Sequence, residues 1–304
     1  MKCWSRKIIS GPSPYVTRST AAEENKPFTH NNVIIFSNCK INLGLRVLRK
    51  RADGYHDLET VFYPIPFHDV IEAIRTEQPP MQFSTSGIAV DVAPEQNLCM
   101  KAYALLSRNA DVPPVQLHLH KSIPSGAGLG GGSANAAFTL KLLNAKLNLG
   151  LSTEQLLDMA LQLGSDCPFF IVNQPCFASG RGELFEPVDL SLLQQYKIAI
   201  VNPGIHIFTA WAFSKLTPMA DGPSVKEIIQ QPVGTWKQQL VNDFEEVVFA
   251  EYPALRDLKN KMYEHGAVYA AMSGSGSAMY GLFEMNADLS WLSEAKVFEL
   301  RSRM

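Results

Sequence analysis

Pro124-Ser125-Gly126-Ala127-Gly128-Leu129-Gly130-Gly131-Gly132-Ser133-Ala134-Asn135 is a short run in which five residues are glycines. It lies between an alternating segment, 115–121, and a segment with apolar residues at helical spacing, 136–147. Because glycine has no side chain, such a run lets the backbone approach a ligand closely and point several N–H groups at one spot. A helix that begins directly after the run adds the partial positive charge of its N-terminus, which favours phosphate. The run therefore predicts a phosphate-binding loop.

Composition and charge limit the class of protein. The chain has 304 residues, of which 46% are hydrophobic and 18% charged, and this length favours two domains. Its 27 Lys and Arg nearly balance its 29 Asp and Glu, so no overall basic field indicates a nucleic-acid partner. No apolar run approaches the roughly 18 residues of a membrane span. We expect a cytoplasmic protein that binds neither nucleic acid nor membrane.

The five cysteines are odd in number, widely spaced and without a CxxC pair. Such spacing favours free thiols in a reducing compartment and gives no side-chain cluster for a metal.

The chain divides into three segments. Residues 1–32 are rich in Ser, Thr and basic residues and lack an apolar period, which predicts a disordered extension. An organelle transit peptide or an over-long start-site assignment are the alternatives for this extension. The folded part is predicted to begin near Val33, with an N-terminal domain at 33–190 and a C-terminal domain at 191–304.

Hydrophobic spacing predicts strands and helices in alternation. The segment 40–47 alternates, with Lys40 and Asn42 on one face and Ile41, Leu43 and Leu45 on the other. Further strands are predicted at 61–67, 69–75, 115–121, 169–172 and 197–201. Helices are predicted at 97–107, directly after the glycine run, from Ser152 to Gly164, and at 209–216.

The segment Gly126–Gly131 matches GxGxxG, so a dinucleotide-binding fold has to be tested. That fold needs an acidic residue about twenty positions further on, whereas 147–150 here reads Leu-Asn-Leu-Gly. A P-loop is excluded because no Gly-Lys-Ser/Thr follows the glycines, and the protein-kinase signatures are absent.

The glycine run is similar to the Pro-x-Gly-x-Gly-Leu-Gly-x-Gly-Ser-Ala motif of the GHMP kinases. Four more blocks follow that family's order: Lys40-Ile41-Asn42-Leu43, Arg51-Ala52-Asp53-Gly54-Tyr55-His56, Leu163-Gly164-Ser165-Asp166-Cys167-Pro168 and Met272-Ser273-Gly274-Ser275-Gly276. The resemblance runs from about residue 33 to the C-terminus. It implies an α+β, two-domain GHMP kinase fold, with an N-terminal domain like ribosomal protein S5 domain 2, a ferredoxin-like C-terminal domain and a cleft between them.

The first two of these blocks resemble one branch of the family in particular. That branch uses ATP to phosphorylate the 2-hydroxyl of 4-diphosphocytidyl-2-C-methyl-D-erythritol, in the non-mevalonate route to isoprenoid precursors. The alternatives are another small-molecule kinase of the family, acting on homoserine or mevalonate, and a non-catalytic nucleotide-binding protein on the same fold. The expected partners are the small-molecule substrate and ATP, in a monomer or homodimer.

The resemblance also implies roles for individual residues. Asp166 would accept the proton of the attacking hydroxyl, and Lys40 beside it would draw charge from that hydroxyl. ATP-binding positions of the family match Pro124, Ser125, Gly126, Ala127, Gly128, Leu129, Gly130, Gly131, Gly132, Ser133 and Ala134, with Asn97 and Lys121 near the adenine. Substrate-binding positions match Asn42, Tyr55, His56, Thr209, Phe213, Gly274 and Ser275. Tyr55, His56 and Phe213 would hold the cytosine ring, and Mg²⁺ carried with ATP would touch Ser133.

Three positions depart from the family's pattern: Cys39, Ala127 and Cys167. None of them removes a chemical group that phosphoryl transfer needs. The interpretation favoured for Cys39 and Cys167 is that of small buried side chains. Because both adjoin the expected catalytic residues, the competing hypothesis is that bulky thiol reagents inhibit the protein through one of them.

Overall fold

The computed structural model describes residues 15–16, 32–77, 81–90, 92–292 and 296–299. The extension predicted at 1–32 therefore lies almost wholly outside the described residues.

The strands are β1 (Tyr15–Val16), β2 (Asn32–Lys50), β3 (His56–Arg75), β4 (Gln82–Gly87), β5 (Val115–Lys121), β6 (Cys176–Ser179), β7 (Leu184–Pro187), β8 (Tyr196–Val201), β9 (Tyr269–Met272), β10 (Met279–Glu284) and β11 (Lys296–Glu299). The α-helices are α1 (Leu98–Asn109), α2 (Gly131–Lys146), α3 (Thr153–Leu163), α4 (Cys167–Val172), α5 (Thr209–Lys215), α6 (Val225–Ile228), α7 (Trp236–Gln239), α8 (Phe244–Glu251) and α9 (Pro253–Glu264). Short 3₁₀ turns lie at Pro94–Gln96, Ser191–Gln195 and Val233–Thr235.

The first sheet is built on the long antiparallel pair of β2 and β3. Its strand order is β1-β2-β3-β5-β4, and β6 pairs with β3 and β7 with β6. β4 runs parallel to β5, whereas β5 and β6 are antiparallel to β3. The turn between β2 and β3 contains Asp53-Gly54, with Gly54 at φ +86°, and it brings His56, the first residue of β3, opposite Lys50 at the end of β2.

Helices α1 to α4 cover one face of this sheet. α2 packs against β2, α1 and α4 and is buried on nearly all sides, as expected for a helix rich in Ala and Leu. Asn97 caps α1 by accepting the Cys99 N–H, and the capping box predicted at Ser152 opens α3. These helices and the sheet enclose one apolar core.

The second sheet has the order β11-β8-β10-β9, with every neighbouring pair antiparallel. β8 and β9 are therefore parallel to each other with β10 between them, and helices connect them, as in a split β-α-β unit. α8 and α9 pack on this sheet around a second core. The predicted two-domain α+β class is confirmed, while the predicted boundary at residue 190 stays a prediction.

An apolar layer joins the two sheets. It contains one face of β2 and the facing side of the second sheet, together with α7: Cys39, Ile41, Leu43, Ile198, Ile200, Trp236, Tyr269, Tyr280 and Leu282. The Tyr280 hydroxyl also donates to the Asn42 carbonyl across the layer, at 2.7 Å. This continuous core fixes the orientation of the two halves and hence the shape of the cleft between them.

Two local predictions are wrong. Residues 169–172 form the end of α4 rather than a buried strand, because a short apolar run does not distinguish the two. Leu45 lines the cleft instead of sharing the face of Ile41 and Leu43. A β-bulge between Leu43 and Leu45, with Gly44 at φ +66°, shifts the alternation by one residue.

Across the part of the chain that the structure describes, none of the helices has the length and apolar character required to cross a membrane.

Candidate active site

A cleft of about 940 Å³ opens between the two halves of the molecule. Its walls come from the glycine run, the facing ends of β2 and β3, the start of α5, and the turn after β9. Ligand sites commonly span about 300–1,000 Å³, so this cleft lies at the large end of the range and suits two ligands side by side.

The glycine run ends in the N-terminus of α2. Gly130 takes the N-cap position at φ +68°, and the helix begins at Gly131. The run is held from both sheets: the Lys40 N–H donates to the Leu129 carbonyl at 3.0 Å, and the Ser273 hydroxyl donates to the Gly128 carbonyl at 2.8 Å. The glycine run and the N-terminus of α2 thus line the cleft and are held from both halves of the molecule, an arrangement that suits a phosphate group.

Gly128 cannot carry a side chain in this position. Its φ is +75°, and a Cβ atom built on it would lie 1.9 Å from the Ser273 carbonyl oxygen. The close approach of these two backbones is what brings the turn after β9 against the phosphate loop.

Lys40 and Asp166 form an ion pair at the centre of the cleft. Lys40 Nζ lies 3.2 Å from Asp166 Oδ2, and the lysine side chain is 3% exposed whereas the aspartate is 36% exposed. Asp166 occupies the residue before α4, so its carboxylate is held at a helix end and remains accessible from the cleft. The predicted catalytic residues are thus brought together, with the carboxylate open to a second ligand.

Lys40 has a second partner on its own strand. Its Nζ donates to Asn42 Oδ1 at 2.6 Å and lies 5.0 Å from the centre of the Phe62 ring. Asn42 is buried but lines the cleft, and its amide oxygen is committed to Lys40. The predicted sharing of one strand face by Lys40 and Asn42 is confirmed.

One end of the cleft is aromatic. The rings of His56 and Phe213 stack with centroids 4.7 Å apart and planes 18° apart. Tyr55 is 51% exposed beside them, and the Arg181 guanidinium lies 4.3 Å from the centre of its ring. Burial, and next the charge of Lys50, lower the pKa of His56 below its ordinary value, so its imidazole is neutral near pH 7. Flat faces and a neutral imidazole suit a planar heterocycle.

Another part of the cleft wall presents hydroxyl groups. Thr209, the first residue of α5, and Ser275, in the turn after β9, have their hydroxyl oxygens 2.9 Å apart. Gly274 and Ser275 both line the cleft. Two chain segments from the second half of the molecule therefore line the same cleft as Lys40 and Asp166.

Asn97 and Lys121 do not line the cleft. The Asn97 side chain accepts the Cys99 N–H at 2.9 Å and so caps α1. Lys121 is buried in an ion pair with Asp69 at 2.5 Å. Both side chains are thus occupied by structural contacts, and their expected proximity to adenine stays a prediction without a contact in its favour.

The remaining loop residues divide by burial. Pro124, Gly126, Ala127, Gly128, Gly130, Gly131, Gly132 and Ser133 line the cleft. Leu129 and Ala134 are buried beneath the loop, and Ser125 is exposed at its edge.

Several cleft residues are not among the predicted site residues, and those with polar side chains are Lys50, Thr60, Ser165, Arg181 and Ser214. Thr60 lies within a strand and Lys50 at a strand end, where nothing in the local pattern marks them. Arg181 stands between two glycines in the turn after β6, at Gly180-Arg181-Gly182. The two glycines mark a turn in the sequence, and ligand-binding side chains are often carried on such loops. This pattern could have identified Arg181 as a candidate cleft residue.

The hypothesis of a reactive cysteine is contradicted. Cys39 and Cys167 are both fully buried, and burial raises the pKa of each thiol to about 12. Because the thiolate is the reactive species, neither is available to a bulky reagent in the folded protein.

Comparison with known proteins agrees with this architecture. Residues 97–180 match the GHMP kinases N terminal domain, and residues 224–290 match the GHMP kinases C terminal. The chain belongs to the GHMP kinase family.

Two curated relatives of high identity share one name. A 4-diphosphocytidyl-2-C-methyl-D-erythritol kinase from Bacteroides fragilis is 52% identical over 253 residues, which is 83% of this chain and 92% of the relative. One from Porphyromonas gingivalis is 48% identical, over 89% of this chain and 99% of the relative. A crystal structure of 4-(cytidine 5'-diphospho)-2C-methyl-D-erythritol kinase superposes with a TM-score of 0.73 at 29% identity, covering 87% of this chain and 97% of that one. The resemblance stated from the sequence motifs is confirmed.

Proposed function

We propose that this protein transfers the γ-phosphoryl group of ATP to the 2-hydroxyl of 4-diphosphocytidyl-2-C-methyl-D-erythritol, giving the 2-phosphate and ADP. One observation carries the proposal. The Lys40–Asp166 pair lines the same cleft as the N-terminus of α2 and the aromatic residues Tyr55, His56 and Phe213. In this proposal the α2 N-terminus holds the phosphate donor, the aromatic residues hold the cytidine-bearing acceptor, and the two ligands meet at the ion pair.

The chemistry follows from the groups present. As the acceptor hydroxyl attacks the γ-phosphorus, its oxygen–phosphorus bond forms while the bond from that phosphorus to the bridging oxygen of ADP breaks. The hydroxyl proton passes to the Asp166 carboxylate, which is the general base in this proposal. Lys40 is the fixed positive charge beside the reacting oxygens, and the loop N–H groups and the α2 N-terminus hold the phosphates that develop charge.

Magnesium accompanies ATP in this proposal. Mg²⁺ keeps several waters and takes few protein ligands beside nucleotide phosphates. Among the described residues no group of three or more His, Cys, Asp or Glu could hold a metal alone. Ser133 lines the cleft, and its single hydroxyl oxygen fits that preference for few protein ligands. When bound, the ion neutralises charge on the phosphate oxygens.

A direct test measures ADP release with three acceptors in parallel: 4-diphosphocytidyl-2-C-methyl-D-erythritol, mevalonate and homoserine. We expect turnover with the first alone, because the aromatic end of the cleft is suited to a cytosine ring. Turnover of mevalonate or homoserine without the cytidine compound would replace this function by another small-molecule kinase activity. ATP binding without turnover of any acceptor would favour the non-catalytic alternative.

The proposed setting is the cytoplasm, with the two substrates as partners in a monomer or homodimer. The four cysteines that fall within the described residues are all free thiols, which supports a reducing compartment. Sedimentation of the full chain at several concentrations decides the oligomeric state.

A further inference from the structure

A chain of hydrogen bonds runs from the catalytic lysine into the sheet. Lys40 Nζ donates to Asn42 Oδ1 at 2.6 Å, and Asn42 Nδ2 donates to Thr60 Oγ1 at 3.0 Å. The Thr60 hydroxyl in turn donates to the Gly44 carbonyl at 2.5 Å. Lys40, Asn42 and Thr60 are all buried, with Thr60 fully so, which leaves few alternative partners for any member of the chain.

The donor and acceptor roles in this series of hydrogen bonds are determined at Thr60. A hydroxyl has one proton, and Thr60 gives it to the Gly44 carbonyl, which can only accept. The Thr60 oxygen must then accept from Asn42, so the amide group presents its NH₂ to Thr60 and its oxygen to Lys40. With the amide reversed, its NH₂ would face the lysine ammonium, and two donors would meet.

The Gly44 carbonyl is available for this role because of the β-bulge. The bulge between Leu43 and Leu45 interrupts the ladder between β2 and β3 at Gly44. The side chain of Thr60, which pairs with Leu45 across the ladder, reaches the carbonyl that the bulge leaves free. The irregularity in β2 is therefore part of the same arrangement that orients Asn42.

We propose that Thr60 is a positioning residue for phosphoryl transfer, which acts by orienting the Asn42 amide so that its oxygen holds the Lys40 ammonium against Asp166. The predicted effect on kcat rests on the proposed function. The predicted effect on the Lys40–Asn42 contact does not. Thr60 touches neither reacting group directly; it acts through Asn42.

The variant Thr60→Val keeps the shape of the side chain and removes the hydroxyl. We expect its kcat to fall roughly 10- to 100-fold, the size of effect that a misplaced catalytic group produces, while its KM for ATP stays unchanged. Thr60→Ser restores the hydroxyl and should recover most of the wild-type kcat. Thr139→Val is the matched control, because Thr139 is also fully buried and donates to a carbonyl, that of Asn135, but does not line the cleft.

A double-mutant comparison separates positioning from general destabilisation. In an Asn42→Ala background the amide is gone, so adding Thr60→Val should lower kcat by less than about twofold if Thr60 acts through Asn42. The proposal is overturned if the two effects multiply in full, if Thr60→Val keeps the wild-type kcat, if Thr60→Ser is as slow as Thr60→Val, or if Thr139→Val is equally slow.

A crystal structure of Thr60→Val provides a readout that does not depend on turnover. We expect the contact between Lys40 Nζ and the Asn42 amide to be lost or the lysine to move away from Asp166. The proposal is overturned if Lys40 keeps both its contact with Asn42 and its place against Asp166. If the wild-type protein phosphorylates none of the three acceptors, the proposed function fails. The crystal structure of Thr60→Val would still show whether Thr60 positions Asn42 and Lys40.

Discussion

At the scale of single residues, the site depends on a few charged groups whose surroundings differ sharply. Lys40 is almost fully buried, yet it has two oxygen partners, Asp166 and Asn42. A buried charge is tolerated only with such partners, so removing one of them would lower stability as well as change the proposed catalytic pair. Substitutions here must therefore be evaluated by stability as well as by rate.

Asp166→Asn is the variant that tests the proposed base. It keeps the size of the side chain but removes the proton acceptor, so we expect kcat to fall by about 10² to 10⁴. ATP affinity, measured by titration calorimetry, should change little, because the phosphate loop is intact. Glu186→Gln is the control: it removes one partner of an exposed ion pair with Lys226 and should leave both quantities unchanged. A variant that retains wild-type kcat would remove Asp166 from the proposed mechanism.

His56 gives the site a predictable dependence of stability on pH. Its pKa is lowered in the folded protein, first by burial and next by Lys50. The unfolded chain therefore binds a proton more readily, and the folded state loses stability as pH falls through and below about 6.5. We expect wild type to lose more of its free energy of unfolding between about pH 7.5 and about pH 5.5 than His56→Asn does. Urea unfolding at both pH values measures this, and equal losses would show that His56 does not contribute.

At the scale of secondary-structure elements, the phosphate loop is shaped by the turn after β9 as much as by its own glycines. Gly128 and Gly150 have similar φ angles, +75° and +70°, but only Gly128 meets another backbone; a Cβ at Gly150 has nothing within 4 Å. This pair separates the cost of the backbone conformation from the cost of the close approach.

Gly150→Ala should lower the free energy of unfolding by about 1 kcal/mol, the cost of a left-handed residue with a Cβ. Gly128→Ala adds a collision with the Ser273 carbonyl, so it should cost more and raise the KM for ATP at least ~10-fold by displacing the loop. Steady-state kinetics and urea unfolding of both variants measure these effects. Equal effects of the two substitutions would mean that the approach to Ser273 does not shape the loop.

Elements with a clear period were predictable, and short apolar runs were not. The strand at 115–121, the helix after the glycine run and the capping box at Ser152 all agree with the structure, because each has a local physical signal. Residues 169–172 were assigned to a strand but form a helix, since Phe-Phe-Ile-Val suits either when buried. Asp166, at the start of that helix, is correctly oriented only because the helix forms.

At the scale of the whole molecule, the two sheets share one apolar layer. Trp236, Tyr269 and Tyr280 are buried in it, and β2 contributes one of its faces. An isolated N-terminal half would expose that face of β2 to water, at a cost of roughly 25 cal/mol per Å² of apolar surface. The layer therefore couples the folding of the two halves.

We expect a single cooperative unfolding transition in urea. Far-UV circular dichroism and tryptophan fluorescence should give coincident midpoints, because both sheets lose the shared layer together. Tyr280→Phe removes the hydrogen bond to the Asn42 carbonyl and should lower the free energy of unfolding by about 1 kcal/mol, moving both midpoints equally. Two separated transitions, or a stable folded fragment of residues 33–190, would contradict this coupling.

The sequence by itself determined the class of loop, the family and the face of β2 that carries Lys40 and Asn42. Glycine spacing and alternation are written in neighbouring residues, and each family motif is a short block that can be read without knowledge of the fold. The tertiary structure decided which groups meet. It placed Lys40 against Asp166 across more than a hundred residues of chain, committed Asn97 and Lys121 to structural contacts, buried both cysteines that adjoin the site, and brought Thr60 into the cleft through a bulge. Such outcomes depend on distances between segments far apart in sequence, which packing of the shared core fixes and local pattern does not.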